Sequence, residues 1–451
     1  MTRMQLIAEI TKYMMLILLG NYTYFSFRIL RYRNKQKQER TYSLLTVIIF
    51  SLHFIGYMTL LLQTGNLKLL LLYGGEVIVF ILILSLYHRL YPKLSRLLLR
   101  NMLMLLSIGF IILARLSFDK AIKQVLIVAL SFMVCLIVPY IIKRYSWLKR
   151  FGLVYGAFGI ALLAVVLVAG STYYGATNWL NIGGIIIQPS EFVKLLYVFG
   201  IAAMFHKAAD FKRICAVTVM AGANVLILVL QKDLGGALIF FVTYVFMLYA
   251  ATAKPIYFFA GLAGGSAAAY IAYQLFGHVR VRVMAWQNPF GYIDDEGYQI
   301  SQSLFAIGTG GWFGMGLNRG LPTSIPVVDS DFIFSAISEE LGGFFAICII
   351  LLYINCFILF INIALEQESA FSRYVSLGFS VMFGFQIVLS IGGVIKFIPS
   401  TGVTLPLISY GGSSALSTIL MFMVLQGIYM KGKHEKKNLQ TEINAEEKEV
   451  M

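Results

Sequence analysis

The sequence predicts an all-α polytopic membrane protein of about 13 transmembrane helices, with a large extracytoplasmic loop late in the chain. Three observations predict it. Of 451 residues 59% are hydrophobic and 13% are charged, whereas a soluble domain carries about 25% charged residues. Apolar runs of roughly 20 residues, the length that crosses a bilayer, recur along the chain. Basic residues fall in alternate connecting segments, as cytoplasmic loops require.

The candidate spans lie near 12–30, 43–63, 68–87, 99–116, 122–142, 151–170, 188–205, 213–230, 235–252, 256–276, 332–361, 374–396 and 405–430. The net charge of +15 does not call for nucleic acid, because the basic residues are distributed by topology. Arg28 to Arg40, Arg89 to Arg100, Lys143 to Arg150, His206 to Arg213, Lys254 and the tail from Lys431 are predicted to be cytoplasmic. By parity the N-terminus lies outside and the C-terminus inside, and 171–187, 231–234, 278–331 and 397–404 face the exterior. The first run is followed by Arg28, Arg31 and Arg33 and lacks a small-residue cleavage site, so it reads as a retained helix. Cys135, Cys215, Cys348 and Cys356 show no metal-ligand or paired spacing and read as packing residues. The charged tail 431–451 reads as a solvated cytoplasmic end.

Chemistry concentrates after Gly175. In Gln188-Pro189-Ser190-Glu191, followed by Lys194, Pro189 suits a first helical turn and Glu191 and Lys194 share a face at i, i+3, so an ion pair is expected. A structural pin between helices is the plain alternative. Trp179 alone would be an interface aromatic. Asp233 in Gln231-Lys232-Asp233-Leu234-Gly235-Gly236 is expected to cap the following helix, with glycines allowing close approach.

The stretch 286–342 sets a polar, glycine-rich loop into this apolar chain, and such backbone at membrane depth must be buried in protein or line a wet cavity. Arg280 and Arg282 stand on the outer side against the charge bias, and are candidates for an anionic headgroup. The glycines of Gly308-Thr309-Gly310-Gly311-Trp312-Phe313-Gly314-Met315-Gly316 could form phosphate nests or a packed re-entrant turn; they lack a nucleotide-loop ending. Asp331, in Pro326-Val327-Val328-Asp329-Ser330-Asp331, opens an apolar helix. An accessible Asp has a pKa of about 3.9 and could accept a proton, while helix capping is the plain alternative. Of Glu339 and Glu340, at least one should point into the bundle, with Arg282 or Lys194 as partner. Two prolines and small polar residues in 399–414 leave backbone free to line a cavity.

The series Gln-Pro-Ser-Glu, Asp-Leu-Gly, Gly-Tyr-Gln at 297–299, Asp-Phe-Ile-Phe at 331–334, Glu-Glu-Leu-Gly and Pro-Leu-Ile-Ser-Tyr-Gly-Gly-Ser at 406–413 resembles the SEDS family (shape, elongation, division and sporulation; the FtsW, RodA and SpoVE type). The resemblance implies a ten-helix core over 98–430, with the large loop before the eighth core helix, a three-helix extension over 1–97, and the tail 431–451. It implies polymerisation of lipid II into glycan strands on the outer face of the bacterial cytoplasmic membrane, beside a class B penicillin-binding protein. Asp331 matches the catalytic position. Trp179, Gln188, Ser190, Glu191, Lys194, Arg282, Gln299, Glu340, Ser409 and Ser413 fall in the motifs expected to bind substrate. No cofactor is certain; a divalent cation, Mg2+ or Mn2+, could assist the leaving diphosphate, and no metal ligand is assigned.

Departures from the family pattern lie at Asn178-Trp179, at Lys232 and Gly236 around Asp233, at Val327 to Ser330, and at Lys396; they leave partner and regulation open. A non-catalytic scaffold of the cell-wall machinery and a lipid II flippase are the alternative functions.

Overall fold

The computed structural model describes residues 3–173, 176–207 and 209–449; Gly175 lies outside them. Its helices are α1 (Arg3–Arg28), α2 (Lys35–Thr64), α3 (Lys68–Leu90), α4 (Arg96–Leu116), α5 (Phe118–Val134), α6 (Val138–Arg144), α7 (Gly152–Ala169), α8 (Ser190–Phe205), α9 (Phe211–Leu230), α10 (Leu234–Thr252), α11 (Pro255–Leu275), α12 (Gly277–Gln287), α13 (Tyr298–Gly310), α14 (Ile333–Leu341), α15 (Gly343–Leu365), α16 (Ala370–Val394) and α17 (Gly412–Glu449). Eleven helices among the described residues are long and apolar enough to cross a membrane. The first and seventh predicted spans correspond to α1, which Lys12, Asn21 and Thr23 make more polar, and to the 16-residue α8. The protein is a multi-pass helical membrane protein.

Burial follows sequence character. Helix α4 is hydrophobic nearly all round and is buried from Leu97 to Ala114, as a helix at the centre of a bundle must be. It packs against α2, α5 and α15. In contrast, α11 has no buried residue, leaving its apolar surface for lipid. The tail continues α17 without a break at residue 431.

Two stretches differ from expectation. Residues 171–187 were expected to be loop, and form a three-stranded antiparallel sheet, β1 (Ser171–Tyr173), β2 (Ala176–Ile182) and β3 (Ile185–Ile187), in which Ser171 faces Trp179 and Leu180 faces Ile187. The isoleucine run of β3 and the turn glycines Gly183 and Gly184, both at positive φ, supply strand and hairpin signals. The presumed fifty-residue loop is largely helical, holding α12 and α13 with short 3-10 turns at Pro289–Tyr292 and Pro322–Ser324.

Its glycines form the packed turn, with no phosphate nest needed to explain them. A Cβ on Gly310 would stand 2.1 Å from the Ser338 carbonyl oxygen, and one on Gly342 2.3 Å from the Gly314 nitrogen. The Met315 and Gly316 N–H groups donate to the carbonyls of Glu339 and Glu340. Gly342, at φ +88°, separates α14 from α15. The two backbones touch where any side chain would hold them apart.

Candidate active site

The four segments predicted to share a side do meet at one end of the bundle. Thr177 N–H donates to the Gln231 carbonyl at 2.9 Å, and Tyr410 N–H to that of Asp329 at 2.8 Å. Arg282 Nη1 reaches the Ser400 carbonyl at 3.4 Å, and Trp286 Nε1 that of Lys396 at 3.1 Å. Gly235 packs on Thr401 and Val403 so closely that a Cβ there would lie 2.3 Å from Val403 Cγ2. The segment 396–414 is thus the hub of this end. Its course takes the backbone into the left-handed region at Lys396, Gly402 and Leu407, of which only Gly402 adopts it at no steric cost.

Asp331 sits against this hub. Its Oδ2 lies 3.4 Å from the point where a Cβ on Gly402 would stand. The plain alternative, a helix cap, is not what Asp331 forms: α14 starts at Ile333, with Phe332 at the capping position and no side-chain cap, so the carboxylate is left for another role. Burial raises the Asp331 pKa from its ordinary value, and Asp329 adds to the rise; a Ser330 hydrogen bond and the Arg282 charge offset part of it. Burial lowers Arg282 from its ordinary value, and the Asp233 and Asp331 carboxylates pull it back. Arg282 is therefore a half-buried cation that feels the charges of both carboxylates while its guanidinium rests on the Ser400 carbonyl.

Asp233 is held firmly. It caps α10 by accepting from Gly236 N–H at 2.8 Å and also accepts from Asn178 Nδ2 at 3.0 Å. Asn178, at a departure from the family pattern, thus fixes the sheet to the start of α10. Its neighbour Trp179 is half-buried in β2.

The expected Glu191–Lys194 pair forms at 2.6 Å. Lys194 is buried and also donates to Gln386 Oε1 at 3.1 Å, while Ser417 Oγ donates to Glu191 Oε2. Gln386 Nε2 donates onward to the Thr404 carbonyl at 3.1 Å. Ser409 Oγ accepts from Leu405 N–H and donates to the Ser330 carbonyl. Ser413 Oγ accepts from Gln188 N–H at 3.0 Å, and Ser190 is buried at the start of α8. A continuous polar network therefore runs from Glu191 and Lys194 through the hub to the residue before Asp331.

Gln299 stands half-buried in the first turn of α13, a helix tied to α14 by the 2.7 Å contact between Ser303 and Ser335. Glu340 is the sequence-selected residue that faces elsewhere. Neither expected partner, Arg282 or Lys194, reaches it: Arg115 Nε lies 3.0 Å from its Oε1, and Asn318 N–H donates to Oε2 at 3.0 Å. Glu339 Oε1 accepts from Leu321 N–H at 2.9 Å. Both glutamates hold down residues 315–321.

Lys120 and Gln124, in the first two turns of α5, were missed. Lys120 Nζ is 2.7 Å from Asp329 Oδ2, and the Gln124 amide accepts from Gly411 N–H at 3.2 Å and donates to the Ser409 carbonyl at 3.4 Å. The available signal was a pair of polar residues at i, i+4 in the polar first two turns of α5, which also hold Asp119 and Lys123.

A multi-pass helical bundle with a half-buried carboxylate and an arginine set against the same segment at one end defines the class: a helical membrane protein with a polar site at one end of the bundle. The family model described as "Cell cycle protein", for FtsW, RodA and SpoVE, matches residues 88–434, and the chain belongs to that family. It is 35% identical over 306 residues to the peptidoglycan glycosyltransferase RodA of Mycobacterium bovis, an alignment covering 64% of this chain and 65% of that protein. Against RodA of Mycobacterium leprae it is 31% identical, covering 77% and 80%. Against the probable peptidoglycan glycosyltransferase FtsW of Aliivibrio salmonicida it is 32% identical, covering 75% and 86%. The fold is also that of Thermus thermophilus RodA, with TM-score 0.56 and 23% identity over 75% of this chain and 97% of that one. A chain of a solved peptidoglycan synthase complex gives TM-score 0.64 and 24% identity, covering 75% and 98%.

Proposed function

We propose that this protein is a peptidoglycan glycosyltransferase that polymerises lipid II on the outer face of the bacterial cytoplasmic membrane, with a class B penicillin-binding protein as its transpeptidase partner. The observation that carries the reading is that Asp331 and Arg282 are set against the same 396–414 hub, Asp331 beside Gly402 and Arg282 on the Ser400 carbonyl, where each feels the other's charge. A carboxylate of raised pKa is a stronger base than a free one, and catalytic bases work best near the operating pH. Asp331 takes the proton from the 4-hydroxyl of an acceptor N-acetylglucosamine as that oxygen bonds to the anomeric carbon of a donor N-acetylmuramic acid. The bond from that carbon to the diphosphate breaks, and undecaprenyl diphosphate leaves with the electron pair. Arg282 offers charge and a planar fork to the departing diphosphate. Lys194, already engaged by Glu191 and Gln386, supports the wall beside it. Trp179, Gln188, Ser190, Gln299, Ser409 and Ser413 line or position the same end.

The described residues hold no group of three or more metal-ligating side chains, so no cage built by the protein alone fits a cation. A divalent cation would be held by the diphosphate oxygens with one or two carboxylates, the usual manner of Mg2+.

The test is polymerisation of purified lipid II by wild type and Asp331→Asn, each alone and with a co-purified class B penicillin-binding protein. Loss of a general base costs about 10²–10⁴-fold, so glycan strands should form with wild type alone. Wild-type yield from a folded Asp331→Asn protein would overturn the assignment of the base. No polymer from folded wild type in either setting would favour a scaffold.

A further inference from the structure

Helix α1 lies outside the residues matched by the family model, yet it reaches the loop that leads to Asp331. Ala8, Glu9, Lys12 and Tyr13 occupy one face at i, i+1, i+4 and i+5. Lys12 Nζ donates to the Gly314 carbonyl at 3.0 Å. Glu9 holds Lys12 at 2.7 Å through one oxygen and faces Arg319 at 3.7 Å through the other. Buried Ala8 would touch a Cβ on Gly316 at 3.2 Å, and the rings of Tyr13 and Phe313 are 5.6 Å apart.

The far side of the same loop is bonded to α14 through Glu339 and Glu340, and α14 begins two residues after Asp331. A helix of nine residues has little stability of its own, so its place depends on what grips it. Arg115 on α4 and Ser303 on α13 each hold it; a third grip is the loop, and α1 backs the loop. A buried lysine costs more than an apolar residue of the same length unless its charge is used, and here the ammonium is spent on a glycine carbonyl of that loop.

We infer that Glu9 and Lys12 are positioning residues for the reaction: α1 braces residues 313–319, and through them α14, so that Asp331 is presented in one place. The inference rests on the reading of Asp331 as the base.

The experiment compares turnover of lipid II by the full-length protein in liposomes for wild type, Lys12→Ala, Lys12→Arg, Glu9→Gln and Asp331→Asn, with thermal unfolding of each. Small displacements of a catalytic group cost up to about 10²-fold, so Lys12→Ala should lower kcat on the order of tenfold with KM nearly unchanged. Lys12→Arg, which can still donate to the carbonyl, should recover most of it. A folded Lys12→Ala protein with wild-type kcat, or with a raised KM alone, overturns the brace while an inactive Asp331→Asn leaves the base in place. If Asp331→Asn is as active as wild type, the base reading fails and the brace falls with it. Should Lys12→Ala not fold, Glu9→Gln decides: it frees Arg319 without removing the lysine, and a kcat several-fold lower supports the brace, whereas wild-type kcat overturns it.

Discussion

Asp331 is placed where burial disfavours its charge, with Ser330 and Arg282 offsetting part of that cost. Two predictions follow from the sign of the shift. As a base it must be deprotonated, so the acid limb of the polymerisation rate should lie above that of an unperturbed aspartate. Asp329→Asn removes a neighbouring charge that raises the pKa and should move the limb down; Lys120→Ala leaves Asp329 without its 2.7 Å partner and should move it up. A pH-rate profile of the three proteins checks both directions. The same shift bears on stability, because a carboxyl group whose folded pKa is raised favours the fold below its unfolded pKa and loses that contribution as pH rises through the folded value. At neutral pH the Asp331 charge therefore opposes folding, and Asp331→Asn should melt at the same or a higher temperature than wild type. That advantage should vanish below the unfolded pKa, and a lower melting temperature at pH 7 would contradict it.

The glycine-rich turn and α14 form one element, since their backbones are in contact. A Cβ at Gly310 or Gly342 must displace backbone, and Gly342 also sits at φ +88°. Gly310→Ala and Gly342→Ala should sharply reduce the yield of protein that elutes as a single species in detergent. Gly308→Ala, with open space around it, should behave as wild type. The pair of Arg115 and Glu340 ties this element to α4. Removing one member of a buried pair costs about 3–5 kcal/mol, while apolar replacement of both is often nearly neutral. Thermal unfolding should show Arg115→Ala well below wild type and the double variant Arg115→Met with Glu340→Leu closer to it.

Across the whole molecule, α2 and α3 are joined to α4 by a fully buried polar cluster. His53 Nε2 is 3.0 Å from Glu76 Oε2, His53 Nδ1 is 3.0 Å from Ser107 Oγ on α4, and the Tyr57 hydroxyl donates to Glu76 Oε1 at 2.7 Å. Tyr22 on α1 and Asn355 on α15 meet at Asn101 of α4, at 3.0 and 2.7 Å. Leaving one buried polar group unpaired costs about 1–3 kcal/mol. Asn101→Leu strands Tyr22 and Asn355 together, and should lower the melting temperature more than Ser107→Ala, which frees a single His53 nitrogen.

Much of this was legible in the sequence because the bilayer imposes one-dimensional rules. Span length, the alternation of basic loops and the grouping of four segments at one end follow from hydropathy and charge, whatever the packing. Local spacing was enough for the Glu191–Lys194 pair and the Asp233 cap, which are contacts within one helical turn. Three dimensions decided the rest. The partner of Glu340 is 225 residues away on α4, and no local pattern favours Arg115 over Arg282 or Lys194. Short strands between apolar helices carry too few residues for a clear period, so the sheet at 171–187 was hidden. Glycines read alike in a phosphate nest and in a close backbone contact until the opposing chain is present. The sequence by itself determined that the chain spans a membrane and which segments share an end. Only the tertiary structure decided what each charge faces, because in an apolar surrounding a charge takes whatever partner the packing of distant helices brings within reach.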